Sequence, residues 1–330
     1  AQIRLGGLEG YSTLLRVLSH AKERPEIRRA AYLGVGHIAE DLAPKHRLQA
    51  ARAMVAALKH TQEDFSRGLG LIALGHLLGA DIRAGGTSVI RQTKAATLLL
   101  SEVKDTRPTI RGFARIGLGL GARAGDAPLR PIKPFLKAAR EYLVEELEDE
   151  RPRYPGKGAI IAAVGLAQAE KGRASLLKWM RDPDVHAWNR GVAALALGAM
   201  GGEDLPTRSA LARATTSTVE GLAPSAARSL ASLGGVLAET KLKDRLAYLT
   251  TQRHVASTLL ALGRLQDPDA AAPLIDWARN ADNHAADRAF AVVALGLLAD
   301  PEPRPSLNRI TRDGNYPART KALAEAWSLY

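Results

Sequence analysis

The chain has 330 residues, 46% of them hydrophobic and only 5% aromatic, so there is ample apolar material for a core built from Ala, Leu and Gly. It has no cysteine, which excludes disulfides, thiolate metal sites and Cys nucleophiles and fits a reducing or an oxidising compartment equally well. No apolar stretch reaches the ~18–20 uncharged residues of a membrane span. The formal charge of +12 is uneven: residues 1–200 hold 31 Lys and Arg against 20 Asp and Glu, and residues 201–330 hold 15 against 14. An acidic partner surface, a nucleic acid or an anionic membrane could each use the surplus of the first two thirds.

From the N-terminus, an amphipathic helix is predicted over 11–23 (YSTLLRVLSHAKE), and a nearly all-apolar one follows from Arg28 to Gly36. The same couple recurs, with HRLQAARAMVAALKH at 46–60 before Arg67 to Gly75. Further copies of the basic residue, seven small or apolar residues and a Gly run from Arg111 to Gly119, Lys157 to Gly165, Arg190 to Gly198 and Arg288 to Gly296. Ala226 to Gly234 and Val255 to Gly263 keep the Gly but lose the basic residue, and a degenerate copy starts at Arg319 with Trp327 in place of Gly. The Gly spacings of 39, 44, 46, 33, 36, 29 and 33 mark an internal repeat of variable length. A helix apolar all round must be buried on most sides. The amphipathic helix of each copy therefore forms an outer layer and the apolar helix an inner one. Gly inside a helix costs about 1 kcal/mol relative to Ala, and close approach of neighbouring inner helices is the compensating gain.

The run ALGRLQDPDAAAPLIDWAR at 261–279 resembles HEAT-like repeats of the phycobilisome-lyase type: an inner-helix end, an Asp-Pro-Asp turn, then an outer helix. Related turns are RDPDV at 181–185 and ADPEP at 299–303. An Asp six residues before the repeat Arg, as in Asp105 with Arg111, Asp184 with Arg190 and Asp282 with Arg288, is a second HEAT-like trait. The resemblance implies that these six residues form a polar ladder linking adjacent repeats. Lys22, Thr61 and Arg151 stand at the Asp position of the first, second and fourth copies, so the ladder is in doubt there. The Gly-rich inner helices, such as 66–80 and 111–125, are also similar to proteasome/cyclosome repeats. The Asp-Pro-Asp turns and Asp–Arg pairs favour HEAT. The implied fold is all-α: a right-handed α-α superhelix of about nine helix pairs in a single repeat domain over 1–330. The repeats fall at 8–41, 45–79, 87–121, 131–171, 172–200, 204–238, 241–265, 268–298 and 303–330.

Insertions in a solenoid map to loops, and the long spacings place them at 80–95, 121–135 and 149–157. These segments carry the candidate partner-binding residues: Arg83, Arg91 and Lys94 in the first; Arg123, Arg130 and Lys133, followed by Lys137 and Arg140, in the second; Arg151, Arg153 and Tyr154 in the third. The acidic run at 145–150 reads as solvated, or as neutralising Arg151 and Arg153.

Enzymatic signals are absent from the sequence. There is no phosphate-binding Gly-x4-Gly-Lys-Ser/Thr loop and no Gly-x-Ser-x-Gly elbow. His37 and His76 each follow a repeat Gly, but no His-Glu pair or carboxylate cluster accompanies them. No metal or cofactor is therefore expected, and the di-iron hydroxylases built on HEAT repeats are disfavoured. Trp179 and Trp277 fall on outer helices, away from the concave face on which a HEAT-like DNA glycosylase would need them. The expectation is a non-enzymatic protein-binding scaffold, or a subunit of a larger assembly. It would grip an acidic or extended protein partner through its concave face and basic loops; the alternative is nucleic-acid binding by the basic two thirds. The sequence begins at Ala1 without Met and so reads as a processed chain or a fragment. A cytoplasmic location is favoured and export stays open. Its last segment, with Trp327 and Leu329, lacks a polar cap, so that end is expected to continue or to be covered by a partner.

Overall fold

A computed structural model of the chain describes residues 2–20, 23–123, 132–149, 157–202, 204–219, 221–246, 252–265 and 267–299. All regular structure among them is helical, and it falls into two compact units, Ala1–Asn189 and Arg190–Tyr330.

In the first unit the helices alternate as outer and inner partners. Outer α1 (Gln2–Ser19) precedes inner α2 (Pro25–Ile38), and outer α3 (Pro44–His60) precedes inner α4 (Asp64–Arg83). The third outer element is broken into α5 (Ser88–Gln92) and α6 (Ala95–Glu102), followed by inner α7 (Pro108–Gly121). Outer α8 (Lys133–Glu148) precedes inner α9 (Gly158–Leu166), and a 3₁₀ turn at Glu170–Gly172 leads into outer α10 (Arg173–Arg181). The unit boundary falls within α11 (Ala187–Met200). In the second unit, outer α12 (Leu205–Ala214) pairs with inner α13 (Leu222–Leu233), and outer α14 (Val236–Leu246) with inner α15 (Gln252–Arg264). Outer α16 (Ala271–Arg279) then pairs with inner α17 (Ala285–Ala299). The expected all-α repeat of helix pairs is thus present. The ninth copy and the Trp327 end lie outside the described residues. Within the units the inner helices pack side by side, α2 on α4, α4 on α7 and α7 on α9 in the first, and α13 on α15 and α15 on α17 in the second.

The local reasons are visible in the sequence. Pro25, Pro44 and Pro108 open α2, α3 and α7, where a missing N–H costs nothing. The Glu63 carboxylate caps α4 by accepting from the N–H groups of Phe65 (3.1 Å) and Ser66 (2.7 Å). In both Asp-Pro-Asp turns the first carboxylate accepts the N–H two residues on, Asp182 from Asp184 at 2.9 Å and Asp267 from Asp269 at 3.0 Å. The two turns differ in place: the first links α10 to α11, the second α15 to α16.

Several of the repeat glycines mark backbone contact. A Cβ on Gly75 would overlap the Gly117 carbonyl of α7, and one on Gly119 would stand 2.6 Å from the Ala163 carbonyl oxygen of α9. In the second unit a Cβ on Gly263 would lie 2.7 Å from Ala294 Cα of α17. Gly234 departs from this pattern. It ends α13 with φ +64, a left-handed conformation that favours glycine, and meets nothing within 4 Å.

The insertion at 80–95 is not the loop expected. α4 runs on to Arg83, and α5 forms because Asp81, fully buried, accepts the Val89 N–H at 2.9 Å and faces the Ser88 hydroxyl at 3.3 Å. A single buried carboxylate thus turns the inserted residues into a capped helix.

Candidate functional site

Basic side chains recur at two structural positions. At the first, the basic residue near the start of an inner helix donates back to carbonyls at the end of the preceding outer helix. Arg28 reaches His20 O at 3.1 Å, Arg67 reaches Leu58 O, Arg111 reaches Asp105 O at 3.1 Å, Lys157 reaches Asp149 O and Arg288 reaches Ala278 O at 2.9 Å. At the second, an outer-helix arginine closes the end of an inner helix. Arg47 donates to Ala39 O at 3.1 Å, and Arg208 to Gly234 O at 2.8 Å and Leu233 O at 3.0 Å. Arg140 of α8 reaches the ends of two inner helices, through Ala167 O at 3.0 Å and Ala122 O at 3.4 Å. The last carbonyls of a helix lack intrahelical donors and carry the negative end of its dipole, so a guanidinium there is doubly favoured.

At Arg111 and Arg288 the expected Asp–Arg ladder takes another form. Arg111 uses the main-chain oxygen of Asp105. The Asp105 carboxylate instead accepts the Arg107 main-chain N–H at 2.8 Å and its guanidinium at 2.9 Å, which holds the carboxyl down at about 2. Asp184 and Asp282 are exposed and lend their N–H groups to Asx turns, Asp282 donating to Asn280 Oδ1 at 3.0 Å. Arg190 opens the second unit. Thr61 makes a different stitch, sharing a 2.9 Å hydrogen bond with the buried Tyr32 hydroxyl.

The candidate binding residues divide accordingly. Arg83 pairs with Glu40 and donates to Arg123 O at 3.0 Å, and Arg140 is committed to its two helix ends, where burial lowers its pKa. Lys137 stands 3.9 Å from Glu141. Arg91, Lys94, Arg123 and Lys133 are exposed. Arg130, Arg151, Arg153 and Tyr154 lie outside the described residues. Within the acidic run, Glu146 pairs with Arg115 of α7. A groove of about 550 Å³ lies beside Arg140, lined also by Val144, Gln168 and Ala169 and rimmed by charges of both signs. Among the described residues, Glu239, Asp267 and Asp269 bring carboxylate oxygens within 4.8 Å of one another, and Lys243 already pairs with Glu239.

The feature that sequence reasoning missed is apolar. The inner helices of the first unit leave one face open, at the same register in each. Leu33 and His37 of α2, Ile72 and His76 of α4, Ile116 and Leu120 of α7, and Ala162 and Leu166 of α9 all occupy it, exposed or half-buried. Their four-residue spacing, repeated in each helix, aligns them as a band crossing the stack. Leu33 is 55% and Phe65 44% exposed. At one edge Arg29 lies over the Phe65 ring at 5.7 Å and Phe65 meets Phe113 edge-on at 5.5 Å, joining α2, α4 and α7. The exposed indole of Trp188 also belongs to this unit, 66% exposed and 3.4 Å from where a Cβ on Gly158 would stand. At the other edge sit His37, His76, Arg83, Arg123 and Glu40. Burial, with the charges of Arg83, His37 and Arg123, pushes the His76 imidazole down against the opposing pull of Glu40, and the exposed Arg123 adds a positive charge to this edge.

No helix among the described residues is long and apolar enough to cross a membrane. No family model and no curated protein matches the chain. Among the solved structures similar to this chain are two. Human deoxyhypusine hydroxylase in complex with glycerol is 18% identical over 88% of this chain and 96% of its own, with a TM-score of 0.35. An engineered protein is 18% identical over 90% of this chain and 80% of its own, with a TM-score of 0.36. The first is an enzyme, so the expectation that this chain is no enzyme is corrected: its structural neighbours include a catalyst.

Proposed function

We propose that this protein is a binding scaffold that holds a protein partner on the open face of the inner helices of its first unit, with the exposed basic residues alongside. The observation that carries the reading is the row of exposed or half-buried apolar side chains at one register, Leu33, Ile72 and Ile116. Burying exposed apolar surface gains about 25 cal/mol per Å², and large contiguous patches of it mark binding surfaces. The finer likeness of 261–279 to phycobilisome-lyase-type HEAT repeats is a likeness of fold and carries no function with it. Arg140 and the repeat arginines, tied to helix ends, are removed from the set of partner contacts; Arg91, Lys94, Arg123 and Lys133 stay in it.

The test is affinity capture from the native source with the wild-type chain and with a Leu33→Asp, Ile116→Asp variant, checked by circular dichroism for unchanged helix content. A protein that co-purifies with wild type and is lost from the variant is the expected result. Retention by the variant, or recovery of nucleic acid alone, overturns the assignment of this face.

A further inference from the structure

The occupant of the open face can be specified further, on the footing of the reading just proposed. The band crosses α2, α4, α7 and α9, whose axes at the usual ~8–10 Å interval span about 24–30 Å. A helix of about 16–20 residues covers that distance at 1.5 Å per residue. Residues seven apart on such a helix repeat every ~10.5 Å, close to the interval between successive inner helices, so one apolar stripe can meet Leu33, Ile72 and Ile116 in turn.

The two edges of the band are chemically unlike. The Phe65 and Phe113 edge is aromatic. On the opposite edge, at the C-terminal ends of the same helices, are His37, His76 and Arg123, beside an Arg83 that Glu40 already neutralises. The exposed Arg123 side chain has no carboxylate partner among the described residues; only its main-chain oxygen is used, by Arg83. Residues 1–189 as a whole carry 30 Lys and Arg against 20 Asp and Glu, so the unit that bears this edge is basic overall.

We infer that the partner presents an amphipathic helix that lies across the inner helices of the first unit, its apolar stripe on the band and an acidic flank against the His37–His76–Arg123 edge.

Two synthetic peptides of about 18 residues, identical in a Leu stripe and carrying either Glu or Gln on the flank, test this with the full chain. The Glu peptide is expected to bind about tenfold more tightly at low salt, the worth of two or three exposed charge contacts. An acidic neighbour favours the imidazolium, so the His76 ring, assigned by comparison with His76→Gln and titrated by proton NMR, should show a raised pKa in the Glu-peptide complex only. Arg123→Gln should bring the Glu peptide down toward the affinity of the Gln peptide and leave the latter unchanged. Equal affinities with an unmoved His76 sink the acidic flank while leaving the binding face standing. If neither peptide binds, the face itself is overturned.

Discussion

At the scale of single residues, the charged groups of this chain answer mostly to the backbone. Asp105 shows the consequence for pH. Its carboxyl sits at about 2 when folded, against about 3.9 for an unperturbed Asp, because it accepts the Arg107 guanidinium and main-chain N–H. A depressed carboxyl contributes stability above the unfolded value, and that contribution fades as pH falls toward 2. Asp105→Asn is therefore expected to lower the urea midpoint at pH 7, and the gap from wild type should close in scans near pH 2. Arg245 is the opposite case. It is 5% exposed, its Nε and Nη1 find no acceptor among the described residues, and burial pulls its pKa down to about 10. Replacing a buried cation that lacks a counter-charge among the described residues by an apolar side chain of similar length is favourable, so Arg245→Met should raise stability by about 1–3 kcal/mol, read as a higher thermal midpoint.

At the scale of the helix, the glycines separate into kinds that the sequence alone does not distinguish. Gly75 and Gly112 both lie inside inner helices, yet a Cβ at Gly75 would strike the backbone of α7, whereas one at Gly112 would rest 3.7 Å from Ala159 Cβ. Gly75→Ala is expected to cost about 3 kcal/mol, since a neighbouring backbone cannot swing aside as a side chain can. Gly112→Ala should instead stabilise by about 0.5–1 kcal/mol through helix propensity. Chemical denaturation of the two variants decides this, and a common sign would contradict the packing described. The alternation of outer and inner helices and the contact at Gly36, Gly75 and Gly119 were legible from periodicity, because each copy repeats the same spacing. The helix at 88–92 was not, since it depends on Asp81, a residue that reads locally as the polar end of an apolar run. Nor was the left-handed stop at Gly234, which shares the repeat register with the packing glycines.

At the scale of the whole chain, the charge of +12 looked like an advertisement for an acidic ligand, and much of it turns out to be internal capping. Lysine and arginine are plain in a sequence, whereas the carbonyls that receive them are present at every residue and give no signal. The apolar face was hidden for a related reason: a helix that is apolar all round does not announce which side is left uncovered. Because these caps are partly buried, added salt should screen them little. Raising the salt from about 50 to 500 mM is thus expected to leave the urea midpoint level or slightly higher, as the remaining like charges are screened, and a pronounced fall would point to surface ion pairs instead.

The glycine contacts also bear on how the first unit would respond to a load. At Gly75, Gly117 and Gly119, where α4, α7 and α9 come closest, main chain rests on main chain, with no side chain at those points to shear or repack. Such a stack behaves as a stiff wall and not as a spring. A ligand that settles on it must bring a matching shape, because the wall has little compliance with which to meet it halfway.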